Sequence, residues 1–208
     1  MSESFSNADT GSKPADAYKA KNADETSLKE KVEDLVKFID ACKFGMMTTR
    51  IESSGLLVSR CMALAAKEGG GVDLLFHTNT ESGKTDDLQN DPKINIAFLD
   101  PSGQWASVSG EAAILTDRAI VKKYYSPTLK AWMGDLGDGK HDGGPDDPRI
   151  GVIKVTAHTA TYAINNKNVL SRGMEIAKGT VTGESAQVNK LRELSTDELK
   201  QWRQTAEA

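Results

Sequence analysis

The sequence predicts a mainly β (β+α) fold, a closed or partly open antiparallel barrel of six strands with peripheral helices. Three observations carry that expectation. From Phe44 onward, apolar residues repeat with a period near two in six separate segments. The breaks Glu52-Ser53-Ser54-Gly55, Glu68-Gly69-Gly70-Gly71 and Asp100-Pro101-Ser102-Gly103 consist of residues that tolerate turn geometry and mark hairpins. Helix-period segments lie beside these strands, so a sheet closed on itself hides its edges with helices on the outside. The chain has 208 residues, 38% of them hydrophobic and 27% charged, which suits one core of ordinary size.

Each element has a local cause. The first 26 residues contain no Leu, Ile or Val and are rich in Ser, Asp, Asn, Lys and Ala, so residues 1–26 are expected to be a disordered N-terminal arm. Ser27 and Glu30 have capping-box spacing, and Leu28, Val32, Leu35, Val36 and Ile39 mark one face of a helix that runs to about Ala41. Strands are expected at 44–50, 56–65 and 72–79. A short helix at 83–90 follows Ser82 and stops at Asn90-Asp91-Pro92. Strands at 94–100 and 104–116 lead to a helical segment at 118–133, which Pro127 breaks or kinks. The last strand spans 151–165. The barrel domain is thus 27–170, and 171–208 is a C-terminal extension whose helix follows the Ser195/Glu198 capping box.

Charge and composition exclude several functions. Lys and Arg number 26 against 30 Asp and Glu, a net charge of -4, so no global field favours nucleic acid or an anionic membrane. No apolar run approaches the ~20 residues that span a bilayer, and the polar start lacks the apolar stretch of a signal peptide; a cytoplasmic protein is expected. Cys42 and Cys61 have no CxxC spacing, and His77, His141 and His158 are scattered, so no metal site is expected.

The strand at 56–65 carries the most informative irregularity. Val58, Arg60, Met62 and Leu64 share a face, which sets a guanidinium among apolar neighbours. Arg60 either snorkels or pairs with a carboxylate near the barrel mouth, or it binds an anion. Lys84 lies in Ser82-Gly83-Lys84, where a strand ends and a helix begins, and free N–H groups, helix dipole and nearby hydroxyls converge there on anions. The bland alternative is an N-cap followed by a solvated lysine. Asp86 and Asp87 complement the same dipole and would repel a phosphate if they pointed at it, so their direction matters.

Other motifs are weaker. Gly134-Asp135-Leu136-Gly137-Asp138-Gly139-Lys140 has phosphate-loop spacing, but His141 replaces the metal-binding hydroxyl residue, no apolar strand precedes it, and its acids oppose triphosphate. The segment 135–147 reads instead as a flexible acidic loop. No G-x-S-x-G elbow supports a hydrolase. Trp132 is a core anchor or an aromatic wall for a planar ring, with core the usual role for tryptophan.

The runs Phe44-Gly45-Met46-Met47-Thr48-Thr49, Ser59-Arg60-Cys61-Met62, Leu75-Phe76-His77-Thr78-Asn79-Thr80-Glu81-Ser82-Gly83-Lys84 and Asn90-Asp91-Pro92-Lys93-Ile94-Asn95 occur in order. With Ala131-Trp132-Met133 and Gly144-Pro145-Asp146-Asp147-Pro148, this pattern resembles the pyridoxamine 5'-phosphate oxidase superfamily, in its general-stress-protein branch, which includes blue-light-inducible proteins. The resemblance covers roughly residues 28–166. It implies a six-stranded antiparallel split β-barrel and a homodimer that binds FMN at the subunit interface, with FAD left open. Arg60, Ser82 and Lys84 would hold the phosphate. Cys61, Met62, His77 and Thr78 would border the ring and ribityl chain, and Trp132 would approach from the partner subunit. The chain departs from true pyridoxamine-phosphate oxidases after residue 166, because Leu191-Arg192-Glu193-Leu194 stands where those enzymes have an R-L-x-P-type segment for the substrate phosphate. The implied function is therefore flavin binding, with either oxidoreductase chemistry or a flavin carrier or sensor of light or oxidative stress. No residue stands out as a catalytic acid or base.

Overall fold

A computed structural model of the chain describes residues 16–165 and 169–206. Six antiparallel strands close a barrel: β1 (Phe44–Arg50), β2 (Leu57–Glu68), β3 (Asp73–Asn79), β4 (Lys93–Leu99), β5 (Trp105–Leu115) and β6 (Ile150–Asn165). Their order around the wall is β3-β2-β1-β4-β5-β6, and β6 returns to β3. All six strands lie within a residue or so of their expected starts, and the turn-rich breaks are hairpins.

The long strand β6 gives the barrel its split. From Val152 to Ala163 it pairs with β5, but its other edge is shared: Ile150–Val155 pair with β3, and Ala160–Asn165 pair with a seventh strand, β7 (Asn189–Leu194). A bulge between Ser109 and Gly110 bends the wall where this switch occurs. Gly110 is required there, since a Cβ would fall 2.0 Å from the Thr156 carbonyl oxygen.

Among the described residues, seven α-helices surround the sheet. Helix α2 (Leu28–Cys42) plugs one end, with Val32, Leu35, Phe38 and Ile39 buried in the same cluster as Met47, Phe76, Ile96 and Phe98. Ser27 caps it by accepting from the Glu30 N–H, whereas the Glu30 side chain turns to Thr26 and Arg192 instead of completing the box. Helix α3 (Gly83–Asn90) links β3 to β4. As Pro127 requires, the segment 118–133 is broken into α4 (Arg118–Tyr124), a 3-10 turn at Pro127–Leu129 and α5 (Lys130–Met133). Leu75, Ile150 and Val152 on the outer wall meet Val121 of α4 in a second, smaller core.

The two chain ends depart from expectation. Residues 1–15 of the expected arm lie outside the described residues. Its remainder is ordered: α1 (Ala17–Asn22) is capped by Asp16, and the Asn22 side chain accepts from the Val188 and Asn189 N–H groups. The C-terminal residues are no appendage either, because α6 (Val169–Thr182) joins β6 to β7, and α7 (Thr196–Ala206) packs at the β2–β3 turn. Trp202 donates there to the Gly70 carbonyl at 3.1 Å. The Ser195/Glu198 capping box is complete and reciprocal.

Arg192 explains why the low-hydrophobicity arm folds. Its guanidinium is 1% exposed and meets Asp24 (2.7 Å), Asp34 (2.6 Å) and Glu30 (2.7 Å), so β7 clamps the start of the chain through charge instead of apolar area. No described helix is long and apolar enough to cross a membrane.

Candidate functional site

The site lies where β1, β2 and the start of α3 meet. Thr49 of β1 points into the barrel and is buried, while Arg60, two positions from Val58 on the same face of β2, leans over it. Arg60 Nη1 donates to Thr49 Oγ1 at 2.9 Å, and Nη2 lies 3.3 Å from Asp87 Oδ2. Of the alternatives for Arg60, the carboxylate pairing is present, and among the described residues its guanidinium keeps further donors at a partly exposed position. Asp87 is the acid whose direction mattered. It turns under the guanidinium, whereas Asp86 faces solvent.

Ser82 stands at the N-cap of α3 without capping it. Its hydroxyl donates to the Asn79 carbonyl at 2.7 Å, and Thr85 donates to that same oxygen at 3.1 Å. No side chain caps the first turn of α3. Lys84 Nζ donates to Ser82 Oγ at 2.8 Å. Among the described residues no carboxylate pairs with this ammonium. Burial, and then the charge of Arg60, push the Lys84 pKa below its ordinary 10.5, which places the two cations in one field. Two cations, a hydroxyl and an uncapped helix start thus converge, an arrangement suited to a dianion.

The other expected residues are distributed around this cluster. Cys61 lies on the outer face of β2 opposite Met46, as a free, exposed thiol, while Met62 is half-buried against the main core. Thr78 faces inward, buried. His77 faces outward beneath α4, where its Nε2 is hydrogen-bonded to the Tyr124 carbonyl at 2.8 Å. Burial holds the His77 pKa below 6.5. Trp132 is 86% exposed on α5, so it is no core anchor: α5 is four residues long, and its Met133 meets the smaller core instead.

The loop expected to be flexible is pinned. Asp147 is fully buried, pairs with Arg149 at 2.7 Å and accepts from the Gly143 N–H, while Arg149 donates to the Met133 and Gly134 carbonyls. The Arg149 hydrogen bonds hold the Asp147 pKa down at about 2. Arg149 also presents its own carbonyl to Thr80, steadying the chain just before Ser82. Thr49 and Arg149 escape a sequence reading, because their roles depend on partners that only the folded chain brings to them, Arg60 across the β1–β2 pair and the Met133 and Gly134 carbonyls. Among the described residues no cluster of His, Cys, Asp and Glu is arranged to hold a metal ion.

Comparison with known proteins identifies the barrel and its family. The profile of the family described as "Pyridoxamine 5'-phosphate oxidase like" matches residues 30–187. Protein bli-3 of Neurospora crassa is 61% identical over 203 residues, which cover 97% of each chain. Among solved structures, a protein from Clostridium acetobutylicum related to general stress protein 26 has a TM-score of 0.57 at 20% identity, covering 84% of this chain and 99% of that one. A pyridoxamine 5'-phosphate oxidase-related, FMN binding protein from Nostoc punctiforme has a TM-score of 0.52 at 12% identity, covering 67% and 84%. At these identities the structures share the barrel fold.

Proposed function

Given that the chain belongs to the pyridoxamine 5'-phosphate oxidase-like family, we propose that it is an FMN-binding protein whose cofactor phosphate is held by Arg60, Ser82, Lys84 and the first turn of α3. The observation that carries this reading is Lys84, a half-buried ammonium with a hydroxyl but no described carboxylate, in the field of a second cation. A dianion relieves the repulsion between the two cations and replaces the water they lose on burial.

The chain's own residues prepare that site. Thr49 and Asp87 fix the guanidinium plane of Arg60, and Asn79 orients the Ser82 hydroxyl. The ring and ribityl chain would then follow β2 and β3 past Cys61, Met62, His77 and Thr78. The outer face of β1, β2 and β4, where Phe44, Met46 and Leu99 are exposed, is the surface on which we place a second subunit, with the flavin between the two barrels. Trp132, exposed on α5, is free to meet a flavin held by that partner.

A bound flavin would supply the redox chemistry, and the barrel would supply binding, orientation and electrostatic tuning. A carrier or sensor role has its own support: Asp87 is committed to Arg60, and the His77 ring to Tyr124, so neither is a ready proton donor. A visible spectrum of the purified protein, with mass spectrometry of what heat releases, tests the cofactor; a colourless protein that takes up no FMN overturns it. Rapid-mixing reduction by NADH or NADPH separates the two roles, since an oxidoreductase shows saturable reduction and a carrier does not.

A further inference from the structure

The connection between β6 and β7 contains more chain than its geometry needs. Asn165 and Asn189 are paired neighbours, a separation that a two-residue turn can close, yet residues 166–188 run between them and include the 14 residues of α6.

Helix α6 is amphipathic, with its two faces reversed from what a lone globular chain requires. Leu170, Met174 and Val181 fall on one stripe, with Ala177 between them. All three large side chains face solvent, Val181 at 87% exposure. The opposite face, with Ser171, Arg172 and Glu175, is the half-buried one, and Arg172 Nη1 donates to the Ser102 carbonyl at 3.0 Å. Polar groups thus hold the helix to the barrel while its apolar stripe points away.

The location of Ser102 indicates what covers that stripe. It lies in the β4–β5 turn, between the cross-strand partners Leu99 and Trp105 on the outer wall of the barrel. Leu99, Met46 and Phe44 on that wall are themselves exposed. Helix α6 therefore meets the edge of this wall at one turn, and the six large apolar side chains of stripe and wall expose on the order of 700 Å² in sum, close to the ~800 Å² one partner contributes to a standard interface. Exposed apolar patches on a folded chain commonly mark interaction sites.

We infer that α6 is an interface arm, which packs its Leu170–Met174–Val181 stripe against a second copy of this chain and extends the dimer surface beyond the barrel wall. This rests on the dimer reading above. Sedimentation of the full chain tests it with three variants: Leu170→Glu/Met174→Glu/Val181→Glu on the stripe, Met46→Glu on the wall, and Lys178→Glu as an exposed control on the same helix. The stripe variant is expected to raise the dimer dissociation constant by roughly 100-fold, with the control within about twofold of wild type. Far-UV circular dichroism checks that each variant is folded, and Val181→Glu alone, expected to cost about tenfold, serves if the triple variant is not. A stripe variant that dimerises like wild type overturns the inference. If Met46→Glu nonetheless dissociates the dimer, the dimer reading survives that loss. A wild-type chain that sediments as a monomer overturns the dimer reading and the arm with it. Wild-type protein that pellets with anionic phospholipid vesicles, while its stripe variant neither pellets nor loses the dimer, assigns the stripe to lipid and overturns the inference as well.

Discussion

Asp87 of α3 lies 3.3 Å from the Arg60 guanidinium of β2, so an acid near the start of α3 is turned onto the arginine proposed to hold the phosphate. Thr49 takes another donor of the same guanidinium. A planar five-donor group can serve both partners and still offer a phosphate a parallel pair of donors, whereas an ammonium with three donors would have one left.

Replacing Arg60 or Lys84 with Ala is therefore expected to weaken FMN by ~10- to 100-fold, the worth of a charge-assisted contact, and to leave riboflavin within about twofold. Arg60→Lys should lose most of the same affinity. Fluorescence titration with both flavins checks this, and equal losses for the two ligands would count against a phosphate site.

If Lys84 holds the phosphate as proposed, FMN affinity is expected to depend on pH. Its pKa in the free protein is lowered by burial and by Arg60, and a bound dianion raises it, so binding is linked to proton uptake. Above neutrality, FMN affinity relative to riboflavin should fall as pH rises through the lowered Lys84 pKa, that is, from below 10.5. The ratio cancels titration of the ring itself. In Lys84→Ala the slope should vanish.

Asp147 anchors the glycine-rich loop through Arg149. Breaking a buried pair from one side leaves an uncompensated charge, and Asp147→Asn is expected to cost about 3 kcal/mol at pH 7. The carboxyl titrates at about 2 when folded and at 3.8 in its ordinary state, so its contribution is complete above pH 3.8 and is lost as pH falls toward 2. Urea unfolding should show the gap between wild type and variant closing over that window.

The clamp at Arg192 separates two truncations. Removing residues 1–15 leaves Asp24, Glu30 and Asp34 in place, and the melting temperature is expected to stay within about 1 °C. Removing 1–26 deletes Asn22 and Asp24 and leaves the buried guanidinium short of a partner, a loss of about 3 kcal/mol or a fall of several degrees. Arg192→Ala in the full chain should match the longer truncation.

Much of the fold is readable from residue patterns alone. The six barrel strands alternate because one face meets the core, and α2 and α3 begin where Ser27 and Ser82 stand. The first turn of α1, the strand β7 and the outward stripe of α6 are not readable in that way. Asn22, Arg192 and Asp34 are polar residues that become structural only through partners more than a hundred positions away, and no local period encodes such a pairing. At the site, Arg60 and Lys84 stand out because cations beside apolar or helix-start positions need anions. Asp87 could not be oriented without the helix on which it turns, and Trp132, core by habit of its residue type, is outside because its helix has a single turn.

The clasp between the two ends of the chain also orders events during synthesis. Helix α2 leaves the ribosome before any strand, yet the barrel it plugs cannot close until β6 has emerged, and the guanidinium that holds its acids arrives only with β7. Nascent chains stalled before Arg192 should hence remain sensitive to protease at residues 16–34, with the earliest-made helix among the last parts to be secured.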